Sequence, residues 1–230
     1  MNALLVIAKR PAPGQTKTRL TPPLSPEQAA RLYEAFLLDT LETVCAVPNV
    51  TRLINYAPHD EAAYFAAFAP GFGLVPQVGA DLGERLDHAL THTLTQGFHR
   101  AVIMDSDSPT LPACHLEQAF NALDHADVVL GPCEDGGYYL IGLKQPAPHL
   151  TRGVQMSTPN VLRDTLALAH DCGLTTALLP MWYDVDTVQE LNRLQTELHR
   201  AAETAAPYTR AALNEMGVFQ MSRAGLSLVE

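Results

Sequence analysis

Three short stretches of this chain combine residue types that could do chemistry. The first is Asp105-Ser106-Asp107, which follows the apolar run Ala101-Val102-Ile103-Met104 and precedes Ser108-Pro109. In extended backbone, residues i and i+2 point the same way, so both carboxylates would share one side of a strand end. Neighbouring like charges repel unless a cation or a proton lies between them. Mg²⁺ or Mn²⁺ suits such a pair, because these ions take one or two carboxylates and complete their octahedron with ligand phosphates. The plainer reading is a pair of turn-forming aspartates ahead of Pro109. The metal reading is preferred, for Asp107 before Asp105.

The second stretch runs Lys9-Arg10-Pro11-Ala12-Pro13-Gly14-Gln15-Thr16-Lys17-Thr18-Arg19-Leu20, with four cations in a chain whose formal net charge is −10. Exposed backbone N–H groups beside Lys and Arg suit a pyrophosphate. With Gly14 as its one glycine the loop is not a Walker A motif, and it is not a dinucleotide G-x-G-x-x-G either. A solvated basic loop is the competing reading. The third stretch, Tyr183-Asp184-Val185-Asp186-Thr187, reads as a strand end entering a helix. From there Asp186 could bring a second carboxylate to the ion held by Asp107, although an acid beside an N-cap also stabilises a helix dipole on its own account.

Weaker signals complete the survey. Gly131-Pro132-Cys133-Glu134-Asp135-Gly136-Gly137-Tyr138 is an Asp-Gly turn between apolar segments, a hairpin signal that leaves structural turn and acceptor-binding loop both open. His88 and His92 stand at i, i+4, but the third ligand and the glutamate of H-E-x-x-H are missing, so they read as a solvated helix face. The sequence has no G-x-S-x-G elbow and no C-x-x-C.

The elements that would position these loops alternate between strand and helix. Strands are expected near Ala3 to Ala8, Val50 to Tyr56, Gly73 to Pro76, Ala101 to Met104, Asp127 to Gly131, Gly137 to Leu143 and Leu174 to Pro180. Helices are expected from Ser25, with Ser as N-cap, Pro at N1 and Gln three residues on, and over Asp60 to Phe68, Asp81 to Phe98, His115 to His125, Pro159 to Cys172 and Thr187 to about Ala205. Thr187 and Glu190 suit a second capping box. Such alternation implies a three-layer α/β/α fold, Rossmann-like, with a mostly parallel sheet whose ligands bind beyond the carboxyl ends of its strands. One domain is expected over residues 1–206, with 207–230 as a helix or tail packed on it or extended.

The bulk properties narrow the function. An acidic chain of 230 residues with 47% apolar and 17% charged side chains is neither disordered nor suited to nucleic acid or anionic membranes. Six apolar residues broken by Lys9-Arg10 make a strand rather than a signal peptide, and no stretch approaches the ~20 apolar residues of a membrane span. Cys45, Cys114, Cys133 and Cys172 are scattered, which fits free thiols in a reducing compartment and a cytoplasmic location.

Taken together, the loops resemble the DUF2064 group of bacterial glycosyltransferase-A-like nucleotide-diphospho-sugar transferases, similar in fold to molybdopterin-guanine and phospholactate nucleotidyltransferases. The resemblance spans about Ala3 to Leu191. It rests on Ala8 to Gly14 with Lys17-Thr18-Arg19-Leu20, Asp81-Leu82-Gly83-Glu84-Arg85-Leu86, Ser106 to Pro112, Gly131-Pro132 with Glu134 to Leu143, Ser157-Thr158, and Asp184 to Thr187. It implies that Lys9, Gly14, Lys17 and Arg19 serve the phosphates and that Asp81, Gly83 and Arg85 approach the nucleoside. It also implies that Asp107 and Asp186 hold Mg²⁺ or Mn²⁺, to which the D-x-D spacing adds Asp105. Asp107 and Asp135 would be catalytic, and Gly136, Gly137 and Tyr138 would face the acceptor. Three positions depart from the pattern: Asp105 for Gly, Met156 for Trp and Glu190 for Asp.

The expected function is therefore a metal-dependent transferase acting on a nucleotide or nucleotide-sugar and a small-molecule acceptor. Glycosyl transfer is preferred because Asp105 completes a D-x-D. Nucleotidyl transfer is the alternative, since the cationic loop would serve a triphosphate equally well, and a non-catalytic nucleotide-binding module comes third. A haloacid-dehalogenase-type phosphatase fits poorly, because Pro109 stands where that motif needs Thr or Val. Self-association as a homodimer stays open.

Overall fold

The computed structural model describes residues 1–218. Its strands are β1 (Asn2–Lys9), β2 (Val50–Ala57), β3 (Gly73–Pro76), β4 (Arg100–Met104), β5 (Val128–Pro132), β6 (Tyr138–Leu143) and β7 (Thr176–Leu178). They form one sheet in the order β3-β2-β1-β4-β6-β5-β7. All neighbours run parallel except β6, which lies antiparallel to both β4 and β5. The central strands read as continuous apolar runs because both faces are covered. Leu4 and Val6 of β1 and Val102 and Met104 of β4 join one core. Ala3, Leu5, Ala101 and Ile103, pointing the other way, join a second.

Helices α1 (Pro26–Ala46), α2 (Ala62–Phe68) and α4 (Ala113–Ala122) close the first face, through Leu37, Leu41, Phe65, Leu116 and Phe120 among others. On the opposite face α3 (Leu82–Thr95), α5 (His149–Arg152) and α6 (Val161–Asp171) supply Leu86, Leu90, Leu150 and Ala169. A third cluster joins Leu32 and Phe36 of α1 to Leu191, Leu194 and Leu198 of α7 (Val188–Arg200) and Leu213 of α8 (Pro207–Glu215). Both capping boxes expected from the sequence form, Ser25 with Gln28 and Thr187 with Glu190. Each satisfies two N–H donors that a helix start otherwise leaves free.

Several elements differ from the sequence reading. The strand expected over Leu174 to Pro180 shortens to β7, although the Leu179 N–H still donates to the Leu130 carbonyl at 2.9 Å. Pairing resumes only at an isolated bridge between Cys133 and Trp182, so Asp186 follows an extended segment and not a strand end. Helix α5 was not expected, since four residues are too few to show a period. Helix α8 packs on α1, where the buried Asp39 carboxylate accepts the N–H groups of Tyr208 and Thr209 at 3.0 and 2.8 Å. Residues 219–230 of the expected tail lie outside the described residues. Among the described residues no helix is long and apolar enough to cross a membrane.

Candidate functional site

The strand order runs outward from β1 in one direction and from β4 in the other, so the crevice between their carboxyl ends is the topological switch point where open α/β sheets bind ligands. The loop after β4 alternates in orientation as extended chain must. Ser106 and Ser108 turn inward and are 3% and 2% exposed, while Asp105 and Asp107 face the cleft. The inward hydroxyls lace the neighbouring loops together. Ser106 Oγ donates to the Ile7 carbonyl at 3.0 Å and meets the Tyr33 hydroxyl at 2.9 Å, and Tyr33 Oη also accepts the Lys9 N–H at 3.1 Å. Ser108 Oγ donates to the Tyr183 carbonyl at 3.1 Å, and the Val185 N–H donates to the Asp107 carbonyl at 2.9 Å. Asp107 and Asp186 are thus set on one frame although they are far apart in sequence.

Lys17 joins them. Its Nζ lies 2.7 Å from Asp107 Oδ1 and 2.7 Å from Asp186 Oδ1, so the two oxygens are within twice that distance of each other. This is well inside the ~8 Å beyond which two carboxylates could not reach one ion. Lys17 has a left-handed backbone, φ 49°, at the start of a single 3-10 turn over Thr18–Leu20, and the buried Leu20 anchors that turn in the third core. The Lys17 side chain is only 4% exposed. Burial alone would lower its pKa, but the two carboxylates outweigh that and raise it, so it stays charged. Hard oxygen donors that already converge on one cation also fit Mg²⁺ or Mn²⁺.

The remaining acids differ. Asp105 takes no part in the pair. Its Oδ1 accepts the Asp107 N–H at 3.3 Å, and its pKa is pushed well above the carboxylate range by burial first, then by Asp107 and Asp184. Asp184, absent from the site expected from the sequence, lines the larger cleft, and its pKa is raised to about 6 by burial and by Asp186 and Asp135. Its carboxylate, that of Asp135 and the Cys133 sulfur lie within 4.8 Å of one another. Two carboxylates separated by one residue are as visible here as in D-x-D.

Two adjoining clefts meet at this centre. The larger, about 600 Å³, is lined by Lys9, Arg19, Asp105, Asp107, Asp135, Gly137, Tyr138, Asp184 and Asp186, over apolar walls that include Leu82, Leu86, Met156 and Val161. The other, about 450 Å³, is lined by Lys9, Lys17, Arg19, Arg85, Asp105, Asp107 and Asp186, with Gln15, Thr16 and Gln77. Arg19 is exposed and 3.7 Å from Asp186, whereas Arg10 turns away to pair with Glu61 and lie over Tyr64.

Four residues expected at the site line neither cleft. Gly14 is an exposed loop glycine, φ +72°, with open space around it. Asp81 caps α3 by accepting the Glu84 N–H at 2.8 Å. Gly83 lets α3 approach α5, since a Cβ there would lie 2.4 Å from the Thr151 carbonyl oxygen. Gly136, φ +91°, does the same against the Pro159 carbonyl. The three glycines act through backbone shape, and Asp81 through its side-chain cap. The histidine pair stacks ring on ring, 5.7 Å between centroids, and the four cysteines are free.

The fold is the three-layer α/β/α arrangement of the glycosyltransferase-A, nucleotide-diphospho-sugar transferase type. More particularly, the chain belongs to the family described as uncharacterized proteins conserved in bacteria (DUF2064), whose model matches residues 40–158. It is 33% identical to a crystal structure of a candidate nucleotide-diphospho-sugar transferase from Desulfovibrio desulfuricans G20. That match covers 95% of this chain and 96% of the other with a TM-score of 0.86. It is 26% identical over 198 residues, 84% of each chain, to the 2-phospho-L-lactate guanylyltransferase of Methanothermobacter thermautotrophicus. The fold is also that of 4-diphosphocytidyl-2C-methyl-D-erythritol synthase from Anaerococcus prevotii, with a TM-score of 0.56 at 10% identity over 86% and 96% of the chains.

Proposed function

We propose that this protein is a nucleotidyltransferase, transferring a nucleoside monophosphate from a nucleoside triphosphate to a small acceptor with release of pyrophosphate. The observation that carries this reading is the cationic loop after β1. It delivers Lys17 to the paired carboxylates and places Lys9 and Arg19 on both clefts. Cations spread over that length suit three phosphates in a row better than the diphosphate of a nucleotide-sugar. The D-x-D that favoured glycosyl transfer loses its weight, because Asp105 is turned out of the carboxylate pair. The guanylyltransferase relative supports the same preference.

Asp107 and Asp186 would hold Mg²⁺ or Mn²⁺, which would neutralise charge on the triphosphate and its leaving pyrophosphate. Lys17, fixed by burial, is set to orient the reacting phosphate against the acceptor, while Lys9 and Arg19 grip the outer phosphates. The acceptor would enter the larger cleft beside Asp135, Gly137 and Tyr138. There Asp184, its pKa raised to about 6, is suited to taking a proton from an acceptor hydroxyl. A phosphorylated acceptor would need no such base.

The test is product identity by phosphorus NMR, with Mg²⁺ and panels of phosphorylated and hydroxylated acceptors. Pyrophosphate released from a nucleoside triphosphate only when an acceptor is present is expected. Nucleoside diphosphate released from a nucleotide-sugar, with no triphosphate turned over, would restore glycosyl transfer.

A further inference from the structure

Gln77, one residue past the end of β3, is held in a way that the phosphate chemistry does not explain. Its backbone N–H donates to the Tyr56 carbonyl at 2.8 Å. Its side-chain Nε2 donates to two more backbone carbonyls, Ala8 of β1 at 3.0 Å and Asn55 of β2 at 2.9 Å. An amide nitrogen has two hydrogens, and both are used. Carbonyl oxygens can only accept, so the flipped amide would set its own oxygen against two others. Chemistry therefore fixes the orientation. What Gln77 has left to offer is Oε1, an acceptor with two lone pairs that no donor among the described residues hydrogen-bonds.

Gln77 lines the smaller cleft together with the phosphate-end residues Lys17, Asp107 and Asp186. Leu82, an apolar side chain 41% exposed, lines the same cleft and gives a flat base something to lie on. A triphosphate seated at Lys17 would thus extend its nucleoside along a cleft that carries a rigid, acceptor-only group. We propose that Gln77 reads the base and selects guanine. Guanine alone among the common bases carries two adjacent donors on its pairing edge, N1–H and the 2-amino group, and one oxygen can accept from both. Adenine and cytosine set a ring-nitrogen acceptor beside their amino group, and uracil flanks its single N–H with two oxygens, so each would bring an acceptor up to Oε1.

The proposal rests on the nucleotidyl-transfer reading above, and its test separates the two. Binding of GTP, ITP, ATP, CTP and UTP is measured by calorimetry with Mg²⁺ on the wild-type protein and on Gln77→Met. ITP lacks only the 2-amino group. Wild type is expected to prefer GTP to ITP by about tenfold, the worth of one well-made hydrogen bond, and to bind the other bases more weakly still. In Gln77→Met the GTP-to-ITP ratio should fall towards one. A merely structural role for Gln77 would weaken all five nucleotides alike and leave that ratio unchanged. Equal binding of GTP and ITP by wild type, or an unchanged ratio in the variant, overturns guanine selection by Gln77 and leaves nucleotidyl transfer standing. Failure of every triphosphate to bind overturns both.

Discussion

At the scale of single residues, the site is organised by one buried ammonium between two half-exposed carboxylates. Removing one partner of such a group leaves uncompensated charge, which costs about 3–5 kcal/mol when fully buried and less where water reaches the acids, as it does here. Lys17→Met should therefore melt several degrees lower without metal. Added Mn²⁺ should raise its melting temperature more than that of wild type, because the ion no longer competes with Lys17 for the two carboxylates. Equal Mn²⁺ shifts in the two proteins would contradict that competition.

Asp105 carries the second residue-scale prediction. Its pKa is raised in the folded protein, so folding favours its protonated form. Its contribution to stability is fullest below its ordinary value near 3.8 and is lost as pH rises from there towards the folded value. Asp105→Asn keeps a side-chain oxygen for the Asp107 N–H but cannot ionise. The variant should match wild type near pH 4 in thermal melts and become increasingly the more stable of the two up to pH 8. A constant difference across that range would mean that Asp105 ionises as freely as in the unfolded chain.

The sequence revealed residue types better than residue positions. Four cations in the first loop were plain to see, but which one would be buried depended on the 3-10 turn and on Leu20 seating in the third core. Gln77 gave no signal at all, because its meaning comes from carbonyls on two other strands. Asp184 was visible only as a neighbour of Asp186.

At the scale of elements, most of the architecture was legible. Two capping boxes and the apolar runs of β1 and β4 are local signals, and local signals are what a sequence displays. The failures were short elements, β7 with three residues and α5 with a single turn; α8 was expected only as a helix or tail, because the Asp39 that satisfies its first N–H groups lies far away on α1. Glycines were the other loss. Gly83 and Gly136 looked like ligand-binding positions, yet each serves a close approach between backbones. Gly83→Ala would place a methyl group 2.4 Å from the Thr151 carbonyl oxygen, so α3 or α5 must shift. Overpacking of that kind costs about 1–3 kcal/mol. Denaturant unfolding should show that loss, whereas unchanged stability would mean that the α3–α5 contact is loose.

At the scale of the whole molecule, the strand order sets where chemistry happens. Reversal between β1 and β4 opens the crevice, the loop after β1 supplies cations, and the loop after β4 supplies Asp107. The long return through β5, β6 and β7 brings Asp186 back to it. An acidic protein is thereby given a local site for an anionic ligand, provided cations converge there.

The most direct test of this account is calorimetric titration of a nucleoside triphosphate into Asp107→Asn and Asp186→Asn, each with and without Mn²⁺. The account predicts that wild type binds the triphosphate at least tenfold more tightly with Mn²⁺ than without, and that each single variant loses that enhancement while melting as a folded protein. If both variants retain the full Mn²⁺ enhancement, Asp107 and Asp186 do not form the metal-binding centre and the site described here is not the site of transfer.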